Sequence, residues 1–150
     1  AEGLSFIAAE GKRVIGTARL WNIACGNGQP ALLLGPVAVA GDCRGRGLGA
    51  TMVRRAIQAA RRLGYAAVVL VGDPEYYSRF GFSGDKTGAL WMPGPFERRR
   101  LLGRELKAGA LDGARGMIAA TGRPAPTPDL AALVAQDRLH RVRGSRPRAA

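Results

Sequence analysis

Histidine, cysteine and acidic residues are scarce in this chain. Among 150 residues there are 2 cysteines and 1 histidine. Cys25 and Cys43 have no CxxC spacing and only His140 to join them, which argues against a zinc site; no metal is expected. Two thiols make no disulfide framework, so both read as reduced thiols of a cytoplasmic protein, with Cys43 accessible in its loop. No apolar run is long enough to cross a membrane. The opening AEGLSFIAAEGKRV has no basic region ahead of an apolar core, so no secretory signal is expected. The chain does not begin with Met, which suits a processed, trimmed or partial product. No internal repeat is visible.

Acids number 11 against 23 Lys and Arg, a formal net charge of +12. Such an excess suits an anionic small ligand drawn in by the field of the whole protein. It also raises nucleic acid as a partner, but no aromatic platform or base-reading motif accompanies it. Any such binding is expected to be non-specific and to collapse with salt. A plain Arg-rich soluble surface accounts for the charge equally well.

What remains is an ordinary globular composition, 47% hydrophobic and 23% charged, in a length that suits one core. Leu4–Ala9 and Arg13–Ile23 read as a β-hairpin. Ala31–Ala40 reads as a central strand buried on both faces, with a bulge or lost pairing at Pro36, which has no N–H to donate. Over Gly47–Leu63, Leu48, Met52, Val53, Ala56, Ile57, Ala60 and Leu63 recur at helical spacing, and Gly64 suits the C-terminal cap. Tyr65–Val71 is a short buried strand, parallel to the one before the helix. Asp73-Pro74 opens a turn or one short helix, with Asp73 in a turn-stabilising role. Phe80–Ser83, Lys86–Met92, Leu101–Lys107 and Gly116–Ala120 read as extended and PGPFERRR as a loop. Residues 1–119 form the domain. Residues 120–150 form a Pro/Arg-rich tail with a short helix over 130–142 and a disordered end.

The most informative stretch is VAVAGDCRGRGLGA, Val37 to Ala50. An apolar strand runs into a glycine loop that opens a helix. Glycines let the backbone approach a ligand, the helix end adds a positive dipole, and two arginines add charge. This suits a pyrophosphate. Without GK[ST], a nucleotide-triphosphate loop is excluded. Gly45, Gly47 and Ala50 satisfy G-x-G-x-x-A, and Asp73 lies where a ribose contact would fall, so an NAD-type dinucleotide is an alternative. Against it, Gly41–Arg44 separates strand from loop, and no second βαβ repeat follows. The glycines also serve as a plain turn and close packing point.

Arg44-x-x-Gly47-x-Gly49, after a buried strand and at a helix start, resembles the acetyl-CoA signature of the GNAT superfamily of N-acetyltransferases. Downstream, Tyr77-Ser78-Arg79-Phe80-Gly81-Phe82 resembles that family's Y-x-x-x-G-F element. The series LGPVAV, RGRGLG, GDPEYYSRFGF and PGPF is similar to a YhbS-like bacterial subgroup. The resemblance covers about Leu4 to Ala119. It implies an α/β (α+β) acyl-CoA N-acyltransferase fold: a mixed, mostly antiparallel sheet with a splayed parallel pair around one β-loop-α-β unit. The opening strand and helices of the family have no counterpart before Leu4.

The resemblance further implies acetyl-CoA as co-substrate. Val37, Ala38 and Val39 would line its pantetheine arm, and the amides of Arg44, Gly45, Arg46, Gly47, Leu48, Gly49 and Ala50 would hold its pyrophosphate. Tyr77 matches the tyrosine that donates a proton to the CoA sulfur; Tyr76 is its rival, and a packed aromatic beside Phe80 and Phe82 is the other reading. No general base stands out. The acceptor would be a small-molecule amine or a protein amino group, and a homodimer is common in such folds. A CoA-binding sensor or scaffold without turnover is the competing function.

Overall fold

The computed structural model describes residues 4–123 and Asp129. The expected tail helix over 130–142 lies outside the described residues. Strands β1 (Ser5–Glu10) and β2 (Arg13–Ala24) form the antiparallel hairpin, and β3 (Pro30–Val39) returns beside β2. Helix α1 (Leu48–Arg62) crosses to β4 (Ala67–Val71), which lies parallel to β3. After the short helix α2 (Pro74–Ser78) come β5 (Leu90–Trp91), β6 (Leu101–Glu105), β7 (Gly116–Met117) and β8 (Ala119–Ala120). Among the described residues the main sheet runs β1-β2-β3-β4-β6, with β8 added on β2, and β5 and β7 form a small parallel pair.

Alternation along the strands divides the core in two. Leu20, Leu32, Leu34, Val68, Leu70 and Leu102 face α1, which answers with Val53, Ala56, Ile57 and Ala60. Ile23, Ala31, Val69 and Leu101 face the other way and are covered by Leu90, Leu111, Ala114 and Ile118. Helix α1 ends where it should: Gly64 has φ +82° and its N–H donates to the Arg61 carbonyl.

Three expectations are corrected. Leu63 is 53% exposed rather than on the buried face, because the helix ends at Arg62 and Leu63 is its C-cap residue, outside the regular turn. Residues 86–89 form turns instead of a strand: Thr87 donates from its backbone to the Gly84 carbonyl, and its buried hydroxyl donates to the Leu101 carbonyl. Gly84 and Asp85 begin that turn rather than interrupt an extended run. Phe80 and Gly81 likewise close the turn after α2, leaving only Ser83 bridged to Gly103.

The detail that shapes the site is the path of β3. Its first half is buried on both faces as expected, but from Gly35 onward it is partly exposed. Two residues, Gly35 and Pro36, stand opposite the single Arg19 between the pairs Leu20↔Leu34 and Ala18↔Val37. This is a β-bulge, and it accommodates a residue that cannot donate. On the other edge, β3 meets β4 only at Leu32↔Val68 and Leu33↔Val69. Beyond Leu33 the two parallel strands part, while β4 continues on β6 to Val71↔Leu101.

Candidate functional site

Parting leaves one edge of β3 without a strand. The Ala40 N–H donates to Ile15 of β2 at 2.9 Å. Polar groups alternate sides along an antiparallel strand, so Ala38 also turns to β2, whereas Val37 and Val39 turn to the gap. The main-chain groups of these two residues thus face the gap.

The gap leads to the glycine loop. A single 3₁₀ turn, Gly41–Cys43, ends β3's excursion, and Arg13 clamps it with a bidentate pair to Asp42, both bonds 2.7 Å. The Arg13 guanidinium holds the Asp42 carboxyl below the usual carboxylate range. The expected use of the Arg44 amide as an anion donor is corrected: the 3₁₀ turn spends it on the Gly41 carbonyl. Next, Gly45 (φ +78°) and Gly47 (φ +75°) adopt left-handed backbone that favours glycine. A Cβ at either would meet nothing within 4 Å, so conformation rather than crowding demands the glycine. The amides of Gly45, Arg46, Gly47, Leu48, Gly49 and Ala50 meet no carbonyl among the described residues; the first helical bond is Thr51 N–H to Gly47. Unpaired amides at a positive helix end, over a concave surface, make an anion cradle.

The cleft over these amides holds about 330 Å³ and is lined by Val39, Cys43, Arg44, Gly45, Gly47, Leu48, Gly49, Ala50, Tyr76 and Arg79. Arg44 has no carboxylate partner among the described residues. Arg46 instead leans back toward Glu10, 3.9 Å away, and its guanidinium lies 3.8 Å from the Cys43 sulfur. Cys43 is 2% exposed, so the expected accessible thiol is corrected: the 3₁₀ turn folds it inward beneath the loop. Among the described residues no cluster could hold a metal ion, and no helix is long and apolar enough to cross a membrane.

Helix α2 closes the far side. Asp73 caps it by accepting from the Glu75 amide at 3.0 Å, the turn-stabilising role expected. Tyr76 and Tyr77 leave the helix on different sides, their rings 5.0 Å apart and edge to face. The Tyr76 hydroxyl points at the loop: a Cβ on Gly49 would lie 3.3 Å from it. Tyr77 packs against Phe82 (ring centroids 6.0 Å apart) and on Gly72, at the end of β4 beyond the point of parting. Its hydroxyl has no hydrogen-bond partner among the described residues and is not sealed from solvent. Burial of the ring, with a smaller push from Tyr76, raises the Tyr77 phenol above its ordinary value. Arg79, stacked 4.6 Å over the Tyr76 ring, reaches the cleft although the sequence reading passed over it. The available signal was spacing: it follows Tyr76 by three residues, one helical turn.

A dinucleotide site would call for a parallel sheet of repeated βαβ units. Here a single such unit is flanked by antiparallel strands. Comparison with known proteins points elsewhere. The profile of the acetyltransferase (GNAT) family matches residues 1–82. Over 85 residues the chain is 35% identical to the uncharacterized N-acetyltransferase YhbS of Escherichia coli K12, covering 57% of this chain and 51% of that protein. The chain thus spans about half the length of the curated relatives it matches. It superposes on the crystal structure of E. coli YhbS in complex with CoA with a TM-score of 0.70 and 30% identity, covering 79% of this chain and 67% of that one. For a GNAT acetyltransferase of Brucella melitensis in complex with acetyl-CoA the TM-score is 0.54 at 25% identity, covering 86% and 65%. The chain shares the acyl-CoA N-acyltransferase fold of these neighbours, and it is a member of the acetyltransferase (GNAT) family.

Proposed function

We propose that the protein is an acetyl-CoA-dependent N-acetyltransferase that passes an acetyl group directly to an amine. The observation that carries this reading is the run of unpaired amides from Gly45 to Ala50, set at the end of two parted strands. The amides, with Arg44 and Arg79 at the rim, hold the pyrophosphate. The free edge at Val37 and Val39 receives the pantetheine arm as a strand would, and Ala38 completes the wall.

Bound acetyl-CoA supplies the acyl thioester. A neutral amine attacks its carbonyl, the new C–N bond forms, and the C–S bond breaks. A main-chain N–H of the bulged strand faces the carbonyl oxygen as charge develops there. Tyr77 gives its proton to the departing thiolate, and the proton lost from the acylated nitrogen returns through water to the tyrosinate: a phenol raised by burial stays protonated at neutral pH, and a thiolate is basic enough to take the proton. The acceptor is a small amine or a protein amino group, and the setting is cytoplasmic.

Calorimetry of the intact protein with acetyl-CoA tests the site, and CoA release across a panel of amines tests turnover. Binding is expected in the wild type and lost in Gly47→Trp, which puts a large side chain at a left-handed position in the cradle. Retention of full affinity in that variant would refute the assigned site. Binding without turnover for any amine would instead identify a CoA sensor or scaffold.

A further inference from the structure

Further along α1 from the cofactor cleft lies a larger groove, about 450 Å³, between the outer face of α1 and β6. Its lining includes Arg54, Arg55, Arg61, Arg104, Gln58 and Thr51, and no acid. Three of the guanidiniums line this one groove near Phe80 and Arg104. Arg54 lies over the Phe80 ring, 5.5 Å from its centroid. Arg104 donates to the Phe80 carbonyl and sits against Gly81, where a Cβ would fall 3.6 Å from its guanidinium carbon. Arg61 is near enough for its charge to act on Arg104; with burial as the larger cause, this lowers the Arg104 pKa. Among the described residues none of the three has a carboxylate partner.

Like charges gathered on a half-buried guanidinium repel one another and lose hydration. Either a carboxylate of the protein or an anion from outside relieves this, and the described residues offer no such carboxylate. Planar guanidiniums present forked donors that match carboxylate and phosphate oxygens, and several gathered positive charges favour the more highly charged phosphate. We propose that this groove is a second anion site, separate from the glycine loop, that takes a phosphate group. Two sources fit the chemistry: a separate phosphorylated small molecule, or the ribose phosphate of CoA extending along α1 from the glycine loop. The second source rests on the cofactor reading above; the first does not.

Calorimetry on the full chain separates them. Inorganic pyrophosphate is titrated into free protein and into protein saturated with CoA; CoA and dephospho-CoA are titrated in parallel. The variant is Arg54→Gln with Arg61→Gln. Its control, Lys12→Gln with Arg115→Gln, removes the same charge elsewhere. A charged hydrogen bond is worth about 1.5–3 kcal/mol, so the groove variant should weaken its phosphate ligand by at least about tenfold, and the control should not. A separate ligand shows as pyrophosphate binding to CoA-saturated protein that the groove variant weakens. The cofactor's own phosphate shows as weakened CoA with dephospho-CoA unchanged. If the groove variant alters neither, or matches its control, the site does not exist. If the wild type binds neither CoA nor dephospho-CoA, the cofactor reading fails, while pyrophosphate on free protein still decides the groove.

Discussion

Replacing Gly72 by alanine puts a methyl group into the seat of Tyr77. The added Cβ would lie 2.3 Å from one ring carbon of Tyr77, 2.6 Å from another and 3.0 Å from a Leu70 methyl. Carbon atoms pack at about 3.5–4.0 Å, so the ring must retreat by more than about 1 Å. It cannot simply swing away, because Tyr76, Phe80 and Phe82 surround it. Overpacking of this kind costs about 1–3 kcal/mol, which for a chain of this size lowers the melting temperature by roughly 2–12 °C. The larger consequence is kinetic. A displacement of about 1 Å at a proton donor costs on the order of 10²-fold in rate. Gly72 does not line the cleft proposed for acetyl-CoA, so acetyl-CoA affinity should hold. The assay is steady-state CoA release at a temperature where circular dichroism shows the variant folded, with acetyl-CoA affinity measured by calorimetry. A variant that melts lower as expected, yet keeps kcat within about threefold of wild type, refutes the placement of the acid on Tyr77.

Tyr77→Phe should lower kcat by about 10²–10⁴-fold with little effect on acetyl-CoA affinity, and Tyr76→Phe should cost less than tenfold; the reverse order in matched kinetics would hand the role to Tyr76. Because burial raises the Tyr77 phenol, the wild-type alkaline limb of kcat should lie above the ordinary tyrosine value of about 10 and vanish in Tyr77→Phe. The stability contributed by the raised phenol is whole below about pH 10, where the unfolded phenol is still protonated, and is lost as pH rises through the higher folded value. Leu32→Ala removes a side chain with 0% exposure from under α1 and should cost about 2–5 kcal/mol in denaturant melts, without moving the CoA site.

Much of the frame was legible because it rests on local rules. The α1 periodicity, Gly64 at its end and Asp73 before Pro74 each follow from the geometry of a few neighbouring residues. Pro36 announced the bulge because a residue with no N–H cannot sit in a continuous ladder. Turns 86–89 were misread as extended because the bond that stabilises them, from the Thr87 hydroxyl to the Leu101 carbonyl, joins residues far apart in the chain. Cys43 was misplaced for a similar reason: one 3₁₀ turn, clamped by Arg13 from another strand, decides which way it faces.

From the amino-acid order alone came the loop's composition, glycines at positions that need left-handed backbone and a helix start beyond them, since backbone preference belongs to each residue and its neighbours. Only the folded chain decided that the expected parting of β3 and β4 begins after Leu33, which edge of β3 stays free, and where Tyr76, Tyr77 and Arg79 point. Those choices depend on strand register and on side chains meeting across the sheet. No single segment carries that information, because the energy lies in contacts between segments.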